Sequence, residues 1–599
     1  MKRLKYLNNK EIESSGKTRT TLIVGFKTSL IFIIILYYLL LTPIFLFAGG
    51  MIYWTPNGVV MNNFNAGVMS PIDDMKGGAI TLTISSPSPT VYFIYAIRVD
   101  HNGNLPWGLN GRKVDSSNVY QVSPLGVSDE KGGAIVVWPR GANPWSWLCY
   151  QRIDSIGNKA WGDTACRVVL SDSQINPVVV SDNAGGVIVA WQQWQHGQYD
   201  IYAQRIDSSG ILRWGDNGVA VCMADSSQEY PAMTCDNSGN SVIAWADYRN
   251  GQYDIYGQRL NSNGISFWPL NGIAFCDTNG PQTFSWGYSP YGSYIVMATD
   301  TTIIVTWIDQ RTGNCDIYAQ SYSLGGLPNW LSQGIPICDT INRQRGVGLS
   351  LDGKGGVFFC WIDERNGYKN IYVQRINRNG QKLWANQGIP ITTSDSTYFY
   401  QRIVNDGRSG AIICWQDRRT GNYDIYAQHI DSLGNIVWDT NGMPVCTAVN
   451  NQQYQEMIAS DSGRAIICWT DYRSGSSRGY AQKVGDEIIG IIDKMQGTRC
   501  EMQDMTLEIC PNPSSNHVTI KFQIPSLVES RIGFQKLINI YNCAGQLVKV
   551  FDLSNYRPSI NQITWDGKDN ESATLPNGFY FCELNVGSQR FIKKIILLH

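Results

Sequence analysis

The amino-acid sequence predicts an all-β protein, and its composition is the first of three observations behind that prediction. The 599 residues include 59 Gly, 31 Tyr and 20 Trp, and only 16% are charged. Gly and aromatic residues are typical of tight turns and strands, whereas long helices need more Ala, Glu, Lys and Leu. With 43% hydrophobic residues the chain is not disordered. A net charge of −1 excludes a basic field over the whole chain, so no nucleic-acid partner is expected.

The second observation is an internal repeat. Eight tryptophans open successive units and are separated by 53, 54, 53, 54, 62, 54 and 54 residues. They are Trp54, Trp107, Trp161, Trp214, Trp268, Trp330, Trp384 and Trp438. A Gly follows four residues later in every unit except the third, which has Ala165. A second Trp recurs later in each unit except the first, which has Thr83.

The third observation is that each unit contains four short strand-like segments. In the fourth unit they cover 218–222, 230–236, 241–245 and 253–260, and Gly, Asn, Asp or Ser bounds each of them. No helical period is sustained. Four strands repeated eight times predict a β-propeller of eight four-stranded blades over residues 51–484. Six or seven blades with a damaged terminal unit are the alternatives.

A turn before each opening Trp carries a resemblance to a known family. The pattern Asp207, Gly210, Trp214 recurs through the repeat. It resembles the docking motif of the quinoprotein-like propellers, although the spacing from Asp to Gly is one residue shorter here. The resemblance implies eight four-stranded blades with the Trp packed between them. It implies no quinone chemistry, because the vicinal cysteine pair of that family's dehydrogenases does not occur in this sequence.

The first fifty residues are interpreted as an export signal. Seven basic residues precede an apolar run over 28–48 that contains no charge. Small residues before a cleavage after Gly50 favour a signal peptide over 1–50, and an uncleaved membrane anchor is the alternative. A membrane is therefore expected to be a partner only through this segment, before cleavage.

Residues 485–505 break the repeat and are interpreted as a linker, and 506–599 change to alternating strands. About seven strands predict an Ig-like β-sandwich. The details resemble the type A sorting domain of type IX secretion cargo, and an Ig-like flagellar hook-capping domain or a generic Ig-like module are alternatives. The residues that carry the resemblance are Pro511, Asn512, Pro513, Tyr541, Gly545, Trp565, Gly578, Tyr580, Lys593 and Lys594. The resemblance implies type IX secretion machinery as a partner. It also implies a location in the medium or on the outer surface of a Gram-negative-type bacterium.

The sequence offers no constellation of catalytic residues. Five His are widely spread, and the HExxH, paired CxxC, GxSxG and P-loop motifs do not occur. We therefore predict no catalytic residues, no metal site and no cofactor. Most Cys fall at repeat positions and are expected to be small buried side chains. Disulfides Cys338–Cys360 and Cys446–Cys468 are the alternative after export.

One repeated polar feature is a candidate site. Asp and Arg stand two residues apart after the second Trp of five units, in the loop between the predicted third and fourth strands. An exposed turn ion pair is the structural interpretation. The functional interpretation is a ring of charges for an acidic or polyhydroxyl ligand, with Arg249, Arg311, Arg365 and Arg419 as candidate ligand-binding residues.

The second and third units replace this loop with segments that carry Trp145, Trp147 and Trp194. The fifth unit keeps the pair but has an insertion between its predicted first and second strands, with Trp286, Tyr288 and Tyr291. All six are candidate ligand-binding residues. In an antiparallel meander alternate connections emerge on one face, so these rings are expected to share a face. Flat rings with polar tips suit sugars or protein hot spots, and loop packing is the structural alternative.

Together these patterns predict an exported, non-catalytic propeller that binds a glycan or a protein ligand. A secreted propeller enzyme acting on polysaccharide, either a hydrolase or a lyase, is one alternative. A structural envelope protein is the other. Fold alone does not choose among them.

Overall fold

The structure is a computed structural model, and it describes most of residues 50–598. The parts of that range outside the description are 89–90, 118–119, 122, 142–145, 171–172, 285–293, 394–399, 462, 487–505, 511–516, 524–535, 543–546, 554–559 and 587–588. The chain divides into two compact units, Met1–Glu487 and Ile488–His599. All regular elements in the described ranges are strands, which confirms the predicted all-β class.

The first unit contains eight antiparallel sheets, and the chain enters them through two short strands, β1 (Gly50–Ile52) and β2 (Val59–Val60). Four sheets then follow in chain order. The first is β3 (Ala66–Asp73), β4 (Ala79–Ser88), β5 (Val91–Val99) and β6 (Arg112–Lys113). The second is β7 (Leu125–Ser128), β8 (Ala134–Arg140), β9 (Trp147–Ile153) and β10 (Cys166–Arg167). The third is β11 (Gln174–Ser181), β12 (Val187–Gln195), β13 (Gln198–Ile206) and β14 (Val219–Cys222). The fourth is β15 (Gln228–Cys235), β16 (Ser241–Asp247), β17 (Asp254–Leu260) and β18 (Ile273–Cys276).

The remaining four sheets repeat the order. The fifth is β19 (Gln282–Thr283), β20 (Ile295–Thr299), β21 (Thr302–Asp309), β22 (Asp316–Ser323) and β23 (Ile335–Cys338), where β19 and β20 both pair with β21. The sixth is β24 (Gln344–Leu351), β25 (Val357–Asp363), β26 (Asn370–Ile376) and β27 (Ile389–Pro390). The seventh is β28 (Arg402–Asn405), β29 (Ala411–Asp417), β30 (Asp424–Ile430) and β31 (Met443–Cys446). The eighth is β32 (Gln452–Ala459), β33 (Arg464–Asp471) and β34 (Arg478–Asp486), joined by β1 and β2.

The eight sheets form a closed ring. The inner strand of each sheet contacts that of the next sheet, in the order β3, β7, β11, β15, β20, β24, β28, β32 and back to β3. The first strands therefore lie around the axis and the fourth strands lie on the outside. This arrangement is the propeller-like repeat fold that the sequence predicts, and we take each sheet as one blade.

The phase of the repeat corrects the sequence-based assignment of strands. The first strand of each sequence unit is the outer strand of the preceding sheet: β14 pairs with β13, and β15 begins the next sheet. The opening unit has no preceding sheet to join in sequence, so β1 and β2 pair with β34 of the last sheet. The ring is thus closed by the two ends of the propeller unit.

The repeated tryptophans explain the repeated glycines. The ring of Trp415 lies 2.4 Å from the position that a Cβ on Gly442 would occupy, and Gly442 has a φ of +92°. No other residue fits there without strain. The opening Trp of each unit packs between sheets as predicted: the indole of Trp214 donates to the carbonyl of Ser262 in the next sheet, at 3.1 Å, under Gly264.

The described residues of the second unit form seven strands in two antiparallel sheets. The first sheet is β35 (Thr506–Cys510), β36 (Val518–Gln523) and β39 (Ile560–Trp565), and the second is β37 (Lys536–Asn542), β38 (Leu547–Asp552), β40 (Gly578–Val586) and β41 (Gln589–Leu597). Buried residues of both sheets, such as Trp565 and Tyr580, form one core. This is a two-layer β-sandwich, and its kinship with Ig-like domains stays a prediction.

Candidate ligand-binding face

The topology of the sheets places two kinds of connection at one end of the ring. The hairpins between second and third strands, and the segments that lead from each fourth strand to the next sheet, emerge at the same end. We call this end the hairpin face. The opposite end, with the turns between first and second and between third and fourth strands, is the turn face.

The Asp–Arg pairs lie at the hairpin face, where they form buried clusters rather than exposed turn pairs. Asp247 is fully buried and accepts hydrogen bonds from the Trp245 indole at 2.7 Å and from Arg249 Nε at 2.8 Å. Arg249 Nη2 also donates to the carbonyl of Asn271, at 3.0 Å, and its guanidinium lies 3.9 Å from the Tyr256 ring centroid. Burial alone lowers the pKa of Arg249, but the hydrogen bonds and charge of Asp247 raise it above its ordinary value.

The same cluster recurs in the following four sheets. Its members are Asp309 with Arg311, Asp363 with Arg365, Asp417 with Arg419, and Asp471 with Arg473. Each guanidinium is held by a carboxylate, a backbone carbonyl and a Tyr ring. The expectation of exposed pairs is therefore wrong. The structure places the candidate residues Arg249, Arg311, Arg365 and Arg419 on four separate sheets, so a ligand role for them stays a prediction.

The third sheet departs from this pattern. Gln193 stands where the five following sheets have Asp and accepts from the Trp191 indole at 3.2 Å. The next residue, Trp194, is 44% exposed, and its ring meets that of Tyr199 edge to face at 4.8 Å. Trp147 begins β9 and is partly buried, with the guanidinium of Arg167 lying 4.5 Å from its ring centroid. Trp145, Trp286, Tyr288 and Tyr291 lie outside the described residues.

Five rings form the main aromatic cluster of the hairpin face. The cluster comprises Trp194, Tyr199, Tyr230, Tyr248 and Tyr253, drawn from the third and fourth sheets. Trp194, Tyr230 and Tyr248 are 44%, 41% and 42% exposed, so each presents part of its ring to solvent. The rings of Tyr248 and Tyr253 meet edge to face at 5.1 Å. Sequence reasoning found only Trp194, because the tyrosines belong to otherwise regular repeat units.

A β-bulge positions Tyr230 in this cluster. The register of β15 against β16 shifts between Glu229 and Ala232, and Tyr230 has a φ of +54°. Its amide donates to Gln192 Oε1 of the neighbouring sheet at 3.1 Å, which holds this uncommon backbone conformation. A bulge of this kind re-aims a side chain at a strand end. The sequence alone does not show this bulge, because it is defined by the pairing of β15 with β16 on either side of Tyr230.

Glu229 lies beside the cluster. The hydroxyl of Tyr253 donates to Glu229 Oε2 at 3.1 Å. Burial raises the pKa of Glu229 above its ordinary value, although that hydrogen bond lowers it in part. Burial, together with the nearby charge of Glu229 and the neighbouring Tyr199, also raises the pKa of Tyr230.

A second, smaller tyrosine set lies four sheets further around the ring. Tyr454 occupies the same bulge position as Tyr230, with a φ of +56° and its amide donating to Gln416 Oε1 at 3.2 Å. Its ring meets that of Tyr400 edge to face at 5.4 Å. The residue that precedes it is Gln453, where the main cluster has Glu229.

Twelve cysteines of the described ranges are free thiols, Cys338, Cys360, Cys446 and Cys468 among them. The proposed pair Cys338–Cys360 is not formed because Cys338 lies on the outer strand of the fifth sheet and Cys360 on the second strand of the sixth. Cys446 and Cys468 are separated in the same way. Burial raises the pKa of the Cys360 and Cys468 thiols to about 12, so neither is a reactive thiolate.

Two further observations concern chemistry and membranes. Among the residues with a described position, no group of three or more His, Cys, Asp or Glu side chains could hold a metal ion. Within the same residues, no helix is long and apolar enough to cross a bilayer.

The sorting-domain residues occupy the second unit. Gly578 begins β40, and Tyr580 is buried with its hydroxyl donating to the carbonyl of Pro576 at 2.8 Å. Lys593 and Lys594 are exposed on β41, and the ammonium of Lys594 lies 3.7 Å from the Phe579 ring centroid. Pro511, Asn512, Pro513 and Gly545 fall outside the described ranges.

Comparison with known families identifies this second unit. Residues 508–598 match the family described as the secretion system C-terminal sorting domain. The match confirms the resemblance to type IX sorting domains and indicates export to the cell surface or medium by that system. The type IX machinery is therefore a partner of this chain. Among curated proteins no relative matches the sequence.

Several solved structures are similar to the chain at low identity. A protein of unknown function from Dyadobacter fermentans has 10% identity and a TM-score of 0.32, covering 62% of this chain and 97% of its own. The α-L-arabinanase of Penicillium chrysogenum has 11% identity and a TM-score of 0.29, covering 61% and 93%. The Hadza microbial sialidase Hz136 has 12% identity and a TM-score of 0.30, covering 58% and 76%. Likenesses at this level carry no argument about activity.

Proposed function

We propose that this exported protein is a non-catalytic binding protein whose propeller holds a glycan at the hairpin face. The observation that carries the proposal is the aromatic cluster of Trp194, Tyr199, Tyr230, Tyr248 and Tyr253. Three of its rings are more than 40% exposed, and two of these, Trp194 and Tyr248, meet a neighbouring ring edge to face. Rings that are both held in place and open to solvent offer flat apolar surface and polar edges, which suits the faces of sugars.

The composition of the hairpin face supports binding over catalysis. The carboxylates of the Asp–Arg clusters are occupied by indole and guanidinium donors. The carboxylate that contacts the aromatic cluster is Glu229, whereas hydrolysis of a glycosidic bond commonly uses a pair of carboxyl groups. A protein ligand is the second candidate, because Tyr and Trp are also the residues of interface hot spots.

The test is binding of the purified full chain to a glycan and polysaccharide array. We expect specific binding that falls at least about tenfold in the Trp194→Ala/Tyr230→Ala double variant, since stacking of two rings is lost. The matched control is Tyr368→Ala, which removes a single tyrosine, 56% exposed, from a hairpin of the sixth sheet on the same face.

The outcomes separate the candidates. Absence of binding by folded protein would contradict the glycan proposal and favour a protein ligand or an envelope role. Equal losses in the double variant and in Tyr368→Ala would place the site elsewhere on the face. Release of sugar products by the wild-type chain would support the enzyme alternative instead.

A further inference from the structure

Glu229 is a half-buried carboxylate at the hairpin face, and it has no cationic partner among the described residues. Its Oε2 accepts a hydrogen bond from the hydroxyl of Tyr253, at 3.1 Å. The repeated guanidinium of the same sheet, that of Arg249, is already held by Asp247 and the carbonyl of Asn271. A half-buried carboxylate that lacks a counter-charge pays a desolvation cost that an incoming cation would offset.

The equivalent position in the other sheets makes the contrast clear. Glu229 directly follows the first paired residue of its inner strand, Gln228. In the sixth sheet that position holds Arg345, and Arg345 is neutralised within the sheet by Glu364 at 2.5 Å. The third, fifth and eighth sheets carry neutral residues there, namely Ile175, Thr283 and Gln453. The fourth sheet alone among these five holds a charge at this position without a partner of opposite sign.

The surroundings of this carboxylate are aromatic. Tyr253 contacts it directly, Tyr230 is the next residue, and Tyr248 packs on Tyr253. Tyr199 is near enough to raise the pKa of Tyr230, and its own ring meets the ring of Trp194 edge to face. The faces of aromatic rings attract cations, and a group of rings beside a carboxylate is the arrangement by which proteins recognise ammonium groups.

We propose that the aromatic cluster and Glu229 together bind the ammonium group of an amino sugar, so that the ligand is a polysaccharide with free amines. The inference rests on the proposed glycan-binding function and specifies its ligand. The rings contact the sugar faces, and the carboxylate and the ring faces receive the positive charge. The Asp–Arg clusters take no part, because their charges are satisfied internally.

The experiment compares three β-1,4-linked hexamers that differ at one substituent. Hexamers of glucosamine, N-acetylglucosamine and glucose carry an ammonium, an acetamide and a hydroxyl group at the same carbon. Binding to the full chain is measured by calorimetry at about 0.15 M salt, where exposed charges are screened over about 8 Å. We expect the glucosamine hexamer to bind at least about tenfold more tightly than the other two, the gain of one charge-assisted contact.

Glu229→Gln is the decisive variant. It keeps the shape and can still accept from Tyr253, and the chain itself carries Gln453 at the equivalent position of the eighth sheet. We expect it to lose the preference for glucosamine while binding of the neutral hexamers is unchanged. The control is Glu130→Gln, which makes the same change in net charge in a turn of the opposite face.

Each result bears on the proposal. Equal affinity of the wild-type chain for all three hexamers would overturn the inference and leave glycan binding intact. If the preference for glucosamine survives Glu229→Gln, or falls equally in Glu130→Gln, the preference reflects a general attraction between the protein and a polycation. Either result would overturn the inference. Binding of a lysine hexamer that depends on Glu229, without binding of any sugar hexamer, would overturn the glycan ligand and assign a protein. If none of the hexamers binds but another glycan binds on the array, the inference about the ammonium group would be overturned and the proposed glycan binding would stand.

Discussion

A single aspartate in each of five sheets joins two neighbouring sheets at the hairpin face. Asp363 receives the Trp361 indole at 2.8 Å and Arg365 Nε at 2.8 Å. Arg365 Nη2 in turn lies 3.2 Å from Cys338 Sγ of the preceding sheet. The carboxylate is fully enclosed, so its charge is stabilised by these donors together with the amide and Nη2 of Arg365 and the thiol of Cys338. The residue types at these positions are thus set by mutual satisfaction of buried polar groups.

Asp247→Ala should therefore destabilise the propeller by ~3 to 5 kcal/mol, because it leaves the Trp245 indole and Arg249 without their acceptor. The measurement is the free energy of unfolding in denaturant. The double variant Asp247→Gln/Arg249→Gln copies the third sheet, where Gln193 and Gln195 occupy these positions, and should recover part of the loss. A double variant less stable than Asp247→Ala would contradict the view that the two residues act as one unit.

Strand ends at the turn face carry a second repeated contact, in which a basic side chain of the third strand bonds to an Asp that follows the first strand. In the seventh sheet the basic side chain is a histidine. In the sixth sheet Arg375 Nε donates to Asp352 at 3.1 Å and Nη1 donates to the carbonyl of Ser432 in the next sheet. In the seventh sheet His429 replaces the arginine and lies between Asp406, at 2.9 Å, and Asp486, at 2.7 Å. Asp486 ends the last strand of the ring, so this histidine links the seventh and eighth sheets.

The His429 contact predicts a pH dependence. Burial alone lowers the pKa of His429, but the two carboxylates raise it to about 9. Burial alone raises the pKa of Asp406 and Asp486, and the histidine lowers both. A raised histidine pKa stabilises the fold fully below about 6.5 and loses that effect as the pH rises through about 9. Lowered aspartate pKa values stabilise above their ordinary range and lose the effect as the pH falls through them.

Between pH 7 and 10 the melting temperature of the wild-type propeller should therefore fall more than that of His429→Arg. Arginine keeps its charge over this range, and it stands at this position in the first, second, third, fourth and sixth sheets. His429→Gln serves as the control and should be less stable than the wild type at pH 7, with little further change at pH 10. Parallel alkaline losses in the wild type and His429→Arg would contradict this account.

How far the elements follow from the sequence depends on which contacts are local. The spacing of the tryptophans predicted the repeat, and the short segments bounded by turn residues predicted four strands in each unit, because those signals are local in the sequence. The sequence did not show which strands share a sheet, because the pairing of β14 with β13 joins segments of different sequence units. Tyr230 and Glu229 were missed for the same reason, because the bulge that turns them to the hairpin face is defined by register against β16.

At the scale of the whole molecule, the ring depends on its first residues. The amide of Tyr53 donates to the carbonyl of Lys483 at 2.8 Å, and the amide of Trp54 donates to Gln482 Oε1 at 2.9 Å. Val59 and Val60 then pair with Ala481 and Tyr480 as the outer strand of the eighth sheet. Cleavage of the predicted signal after Gly50 would leave nearly all of this closing segment in place.

Deletion of residues 51–60 should lower the melting temperature of the propeller by more than 10 °C, because the last sheet loses its outer strands and Trp54 leaves the core. A circular permutant tests whether the stability of the ring depends on the pairing of this segment or only on the length of the chain. In the permutant Asp486 is joined to Gly50 through a short turn, and the chain is opened near Asn63. The permutant makes the eighth sheet covalently like the other seven, so it should melt at or above the wild-type temperature. A deletion that melts like the wild type, or a permutant that fails to fold, would show that the ring is not closed by this segment.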